Sequence, residues 1–357
     1  TANQEYIRRA LHLVRLMAML WPTLEFVLGL SLMITLFVGG HEVVAHRISV
    51  GQFTSFMVYM VQLTWPMIAV GWVVNLFQRG TASVVRIDEL LKQEPSIADE
   101  PTATSTPIAG DIEFRHLNFA YAGGPPVLKD INLKIPAGSS LAIVGPTGSG
   151  KSTLVSLIPR LEDATPGEVL IDHQPIRNFT LDELRKSIGF VPQETFLFSD
   201  TISHNISFGR PEATIEQVQD AAIVAHISTE ILEFPRGFET MVGERGVTLS
   251  GGQKQRTAIA RAVMRDPRIL ILDDALASVD TYTEERILTG LRHTMQGRTT
   301  IFISHRISTA RNADQIAVLV AGRIAELGTH DELIAKNGYY TSLFEKQRLE
   351  EELSVTA

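Results

Sequence analysis

Residues 16–41 carry one charged side chain, Glu25, and residues 48–78 carry none. A helix needs about 20 consecutive apolar residues to cross the hydrocarbon layer, and loops or open sheet edges facing lipid would leave backbone polar groups unpaired. The two runs therefore commit the start of the chain to a transmembrane α-helical hairpin, with spans of about 17–40 and 53–77. Buried core helices are the alternative, but those are rarely this long and this uniformly apolar. The intervening GGHEVVAHRISVGQ is short and turn-rich, which makes the helices antiparallel.

Charge sets the orientation. Arg8, Arg9 and Arg15 precede the first run, Arg79 and Arg86 follow the second, and the loop holds only Arg47, offset by Glu42. The positive-inside bias puts both chain ends in the cytoplasm. Glu25 reads either as a functional intramembrane acid or as a residue near water on a helix longer than the bilayer. Pro22 and Pro66 are candidate kinks. Phe56, Met60, Trp65 and Trp72 either line a path for an apolar substrate or pack against lipid and neighbouring helices.

The apolar excess lies within the first 80 of 357 residues, and the remainder reads as an ordinary globular region. Net charge is −8 with no long basic run, which argues against a nucleic-acid partner. The chain has no Cys, which excludes a disulfide framework and Cys-ligated metal. It starts at Thr1 in what already reads as helix, so a piece of a longer chain is expected, and no signal peptide is visible.

Residues 93–110, QEPSIADEPTATSTPIAG, read as an extended linker between a membrane part (1–92) and a second domain (111–345), with a charged tail at 346–357. DIEFRHLNFAY and VLKDINLKI alternate as strands of an antiparallel sheet. SLAIVGPTGSGKSTLVSLI then reads as strand, Gly-rich turn and helix. The turn Gly145-Pro146-Thr147-Gly148-Ser149-Gly150-Lys151-Ser152, followed by Thr153, fits the phosphate-binding P-loop. Glycines let backbone N–H groups wrap a phosphate, and the helix from near Lys151 turns its positive end to the anion. Lys151 is expected on the β- and γ-phosphates and Ser152 on Mg²⁺. In ILILDD an apolar strand, expected beside the P-loop strand, delivers Asp273 to Mg²⁺. These elements define a nucleoside triphosphatase and no more.

LSGGQ narrows it. Leu249, Ser250, Gly251, Gly252 and Gln253 stand about 20 residues before Asp273 and open a helix near Gly252, a second anion-binding helix start. With these motifs the chain resembles the ATP-binding cassette (ABC) transporters over essentially its whole length. The resemblance implies an α/β P-loop NTPase cassette with an antiparallel β subdomain and an α-helical signature subdomain. It implies ATP and Mg²⁺ as cofactors, Tyr121 stacked on adenine, and Gln193 reaching Mg²⁺ and the membrane domain. VGERG at 242–246 resembles the exporter segment that contacts coupling helices. Residues 277–280 match the loop joining two ATP sites, and His305 matches the switch histidine at the γ-phosphate.

Membrane helices followed by a cassette resemble an exporter half. Such halves carry six spans, and the hairpin resembles the fifth and sixth. The resemblance further implies a dimer with a second half-transporter, in which the signature of one chain covers the P-loop nucleotide of the other. The position after Asp273 is usually Glu, the base that orients the attacking water; here it is Asp274, shorter by one methylene. Loss of general-base help costs ~10²–10⁴ in rate, so this chain's own site is expected to bind ATP but cleave it slowly. An intact signature beside a weak base resembles one subunit of a heterodimeric bacterial multidrug exporter, although His305 is retained where some such subunits lack it. The expected function is ATP-dependent export of an apolar or amphipathic compound across the cytoplasmic (inner) membrane, by a multi-pass protein with its cassette in the cytoplasm. A homodimeric lipid or peptide exporter and a regulatory, non-transporting cassette are the alternatives.

Overall fold

The structure is a computed structural model that describes residues 2–244, 249–279, 281–294 and 296–356. It divides into two compact units, Thr1–Glu94 and Pro95–Ala357.

The first unit is a pair of helices, α1 (Ala2–Val44) and α2 (Val50–Leu91), each long and apolar enough to cross a membrane. Both outlast the spans expected from the sequence, and the loop between them shrinks to residues 45–49. Gly39 and Gly40, read above as turn residues, lie inside α1. Gly39 is there for packing: an added Cβ would lie 2.7 Å from the Phe53 ring. Ser49 starts α2 by a reciprocal capping box with Gln52. Met60 faces α1, where its sulfur accepts from Ser31 Oγ at 3.4 Å and Thr35 Oγ1 at 3.5 Å. Phe56, Trp65 and Trp72 are exposed, as apolar side chains facing lipid would be.

The second unit opens with β1 (Ile112–Phe119), β2 (Leu128–Ile135), β3 (Ser140–Val144) and α3 (Lys151–Ser156). It continues through β4 (Val169–Ile171), β5 (Gln174–Pro175), α4 (Leu181–Lys186) and β6 (Ile188–Val191). The helical part follows: α5 (Ile202–Ser207), α6 (Ile215–Val224), α7 (Ser228–Glu233) and α8 (Gly251–Met264). The chain then re-enters the sheet with β7 (Ile269–Asp273), α9 (Thr281–Thr294), β8 (Thr299–Ile303), α10 (Ile307–Ala310), β9 (Gln315–Val320) and β10 (Arg323–Gly328). It closes on α11 (His330–Lys336) and α12 (Tyr339–Thr356).

A four-stranded sheet β2-β1-β4-β5 is antiparallel, and a six-stranded sheet runs β10-β9-β3-β8-β7-β6, parallel except for β10. The central strands are buried on both faces, hence their continuous apolar runs. Their side chains still alternate. Leu141, Ile143, Ile269, Ile271, Ile301 and Ile303 pack towards the antiparallel sheet and α3, while Ala142, Val144, Leu270, Leu272 and Phe302 pack towards the helical part.

Two expectations are corrected here. The acid-tipped strand β7 does not lie beside the P-loop strand β3; β8 is inserted between them. Strand order is a tertiary property, and β8, beginning with Thr299-Thr300, carries no nucleotide motif of its own to announce its place. Residues 95–110 are also more than an extended linker. The Asp172 carboxylate accepts the N–H groups of Ala109, Gly110 and Asp111 at 2.7–3.0 Å, Ile108 is buried, and Thr104 bridges to Phe179. Asp99 accepts Leu181 N–H at 2.7 Å, at the start of α4, and the buried Arg160 donates to the Ala98 carbonyl at 3.3 Å. Polar composition read as an extended linker; the partners that hold it lie 60 or more residues away in the chain.

Candidate nucleotide site

The carboxyl ends of β3, β7 and β8 converge on one cleft of about 320 Å³. Thr147, Gly148, Gly150, Lys151, Ser152 and Thr153 line one side; Gln193, Asp273, Asp274 and His305 line the other. Open α/β sheets bind ligands at this end.

The P-loop's shape needs its glycines. Gly145 has φ +146°, and a Cβ there would lie 2.1 Å from the Leu319 carbonyl on β9. Gly150 starts α3 at φ +99° without a side-chain cap, and the first-turn N–H groups of a helix have no intrahelical partner. Ser149 Oγ is buried without a hydrogen-bond partner among the described residues. Lys151 is buried and donates from Nζ to the Gly145 and Pro146 carbonyls, both at 2.9 Å. Burial pulls its pKa below the usual lysine range, against the pull of Asp274 and Asp273.

Ser152 Oγ donates to Asp273 Oδ1 at 3.0 Å. Burial raises the Asp273 pKa; the Ser152 bond opposes that shift, and the Asp274 charge adds to it. A hydroxyl, a carboxylate and the Gln193 amide are hard oxygen donors suited to Mg²⁺, which takes few protein ligands when it also binds phosphates. Asp274 is left-handed at φ +48°, a conformation that Asp tolerates better than most residues, and its N–H donates to the Ile303 carbonyl at 3.2 Å. Tyr121 is largely exposed, with its hydroxyl 3.1 Å from Thr153 Oγ1 and its ring edge-on to Phe119.

The signature residues lie apart from this cleft. Leu249 is buried, and exposed Ser250 caps α8 in a reciprocal box with Gln253, whose amide donates to Glu230 at 3.0 Å. A Cβ on Gly252 would lie 2.9 Å from the Ser278 carbonyl, so α8 and the 277–279 loop touch backbone to backbone. Arg245, Gly246 and Asp280 lie outside the described residues.

Val127 and Ile303 also line the cleft, and nothing in their local sequence singles them out. Arg261 was equally silent. From α8 it donates to the Phe196 carbonyl at 2.9 Å and the Asn205 carbonyl at 2.7 Å, anchoring the loop that carries Gln193. Burial lowers its pKa to about 10, still leaving it charged at neutral pH.

A family model described as ABC transporter matches residues 128–277, from β2 through the P-loop, signature and β7. This chain carries an ABC transporter ATP-binding domain. The domain is fused to two long apolar helices. The chain is 42% identical over 329 residues to a probable multidrug resistance ABC transporter ATP-binding/permease protein of Bacillus subtilis, covering 92% of this chain and 56% of that protein. It is 43% identical over 327 residues to an ATP-dependent lipid A-core flippase of Desulfotalea psychrophila, covering 91% and 57%. A solved bacterial Atm1-family ABC exporter with ATP bound matches at TM-score 0.75 and 39% identity, over 85% of this chain and 53% of that one. The chain thus spans a little over half the length of these relatives.

Proposed function

We propose that the chain is one half of a dimeric ABC exporter that moves an apolar or amphipathic compound across the cytoplasmic membrane, driven by ATP, and that its own P-loop site hydrolyses ATP weakly. The observation that carries the reading is Asp274, which lines the same cleft as Lys151, Ser152, Asp273 and His305 and stands where the resemblance places a Glu base.

The P-loop N–H groups and Lys151 bind the β- and γ-phosphates, Tyr121 stacks on adenine, and His305 meets the γ-phosphate. Ser152, Asp273 and Gln193 would hold Mg²⁺, which neutralises phosphate charge. The exposed edge at Ser250 and Gly251 would cover the nucleotide of a partner half, so neither site is complete in one chain. ATP then draws two cassettes together, and its loss lets them part, biasing a two-state change in the membrane helices. Asp274 is one methylene short of the carboxylate position a Glu would reach, and general-base help is worth ~10²–10⁴. A different partner subunit with Glu at that position would carry most of the turnover.

The likeness to a lipid A-core flippase favours a second reading, a homodimeric lipid exporter. Co-purification from the native membrane separates the two by whether the partner is a different chain. The test of the weak base is Asp274→Glu in the purified complex. With the partner's site silenced by Ser250→Ala and Gly251→Asp in this chain, the ATP turnover that remains should rise about tenfold or more, a part of the ~10²–10⁴ that a working base supplies. Unchanged turnover overturns the weak-base reading.

A further inference from the structure

The switch segment 304–307 is gripped from two sides. On one, Ser304 Oγ accepts Arg306 N–H at 2.9 Å and donates to the Arg306 carbonyl at 3.2 Å. The Arg306 guanidinium donates to the Val279 carbonyl at 3.0 Å and to the buried Glu284 of α9. On the other, a single side-chain amide from α12 takes two backbone groups. Gln347 Oε1 accepts Ile307 N–H at 2.8 Å, and Gln347 Nε2 donates to the His305 carbonyl.

We propose that Gln347 is a positioning residue for His305, and that docking of the C-terminal helix α12 thereby sets how well this site distinguishes ATP from ADP. The inference rests on the γ-phosphate role proposed above for His305. A primary amide carries a donor and an acceptor on one planar group, which is what a carbonyl and an N–H two residues apart require. The backbone between them cannot rotate without breaking a bond, so the imidazole facing the cleft is the freedom that remains. Glutamate keeps the acceptor for Ile307 but opposes a second oxygen to the His305 carbonyl. α12 is itself fixed at its start. The Glu326 carboxylate accepts the N–H groups of Tyr339 and Tyr340, and the buried Tyr340 hydroxyl lies 2.8 Å from His330 Nδ1.

The test uses the full chain in detergent, with amide hydrogen exchange on one arm and titration with Mg-ATP and Mg-ADP on the other. Gln347→Ala should speed exchange at Ile307 about three- to tenfold, the worth of one neutral hydrogen bond, with the amides of α12 unchanged. It should also lower the preference for ATP over ADP about as far as His305→Ala does. Gln347→Glu should keep Ile307 protected. Unchanged exchange at Ile307 in Gln347→Ala overturns the proposal. So does faster exchange with the ATP preference intact, provided His305→Ala lowers that preference. If His305→Ala leaves it intact, the γ-phosphate role of His305 falls instead, and exchange at Ile307 alone then supports or overturns the grip. Should Ala also loosen α12, Gln347→Glu decides: restored protection at Ile307 supports the grip, and its loss overturns it.

Discussion

Ser152 Oγ reaches Asp273 Oδ1 at 3.0 Å across 121 residues of sequence. One residue opens the helix after the P-loop and the other ends β7, so the bond exists only because the sheet brings two strand ends to the same side. Its acceptor is a buried carboxylate whose protonated form burial favours. The charged form that accepts this bond is thus the form that burial opposes.

That conflict is measurable. An acid whose pKa is raised by folding binds protons more tightly folded than unfolded, so stability falls as pH rises from the ordinary carboxylate range through the raised value. Asp273→Asn, which keeps an acceptor for Ser152, should therefore raise the unfolding temperature of the nucleotide-free cassette by a few degrees at neutral pH. The gain should vanish in acid, and Mg-dependent ATP binding should be lost. A melting series from acid to neutral pH checks the sign; lower stability of Asn at neutral pH refutes it.

Lys151→Ala should weaken nucleotide binding by about 10–100-fold, the range for losing a charge-assisted hydrogen bond to phosphate. Titration of the full chain with a fluorescent ATP analogue reads it directly. Unchanged affinity counts against the P-loop assignment.

Two substitutions on this chain should act on opposite ATP sites. Asp274→Asn should lower turnover of a mixed dimer by less than about tenfold, because the base there supplies little of its usual ~10²–10⁴. Ser250→Ala with Gly251→Asp should nearly stop it. Among the described residues a Cβ on Gly251 meets only Ser278 at 3.6 Å, an ordinary contact, so on the proposed dimer the expected effect comes from the new carboxylate facing the partner's γ-phosphate. In a homodimer both changes strike every site and both should be severe. Steady-state ATPase of the purified complex separates the cases.

Asp172→Ala should destabilise the cassette by about 2 kcal/mol, since three backbone N–H groups lose a charged acceptor. Limited proteolysis should then cut within 95–110 sooner than in the parent chain. Equal cutting rates would mean that other contacts, such as Asp99 to Leu181, hold the segment without it.

The motifs were legible because their chemistry is local. A glycine at φ +146°, a lysine at the mouth of a helix and a serine capping α8 each need their residue type at that spacing. The two apolar runs were legible for a similar reason, since covering a bilayer fixes length and composition together. What joins these pieces was not legible. β8 between β3 and β7, Asp172 under residues 109–111, and Gln347 on the switch segment are contacts between residues far apart in sequence, and an Asp or Gln in a polar stretch looks like any solvated side chain until the partner is placed. Residue type declares what a group can bond, but only the folded chain selects which of many chemically equivalent partners it meets, because that choice is made by packing over the whole core.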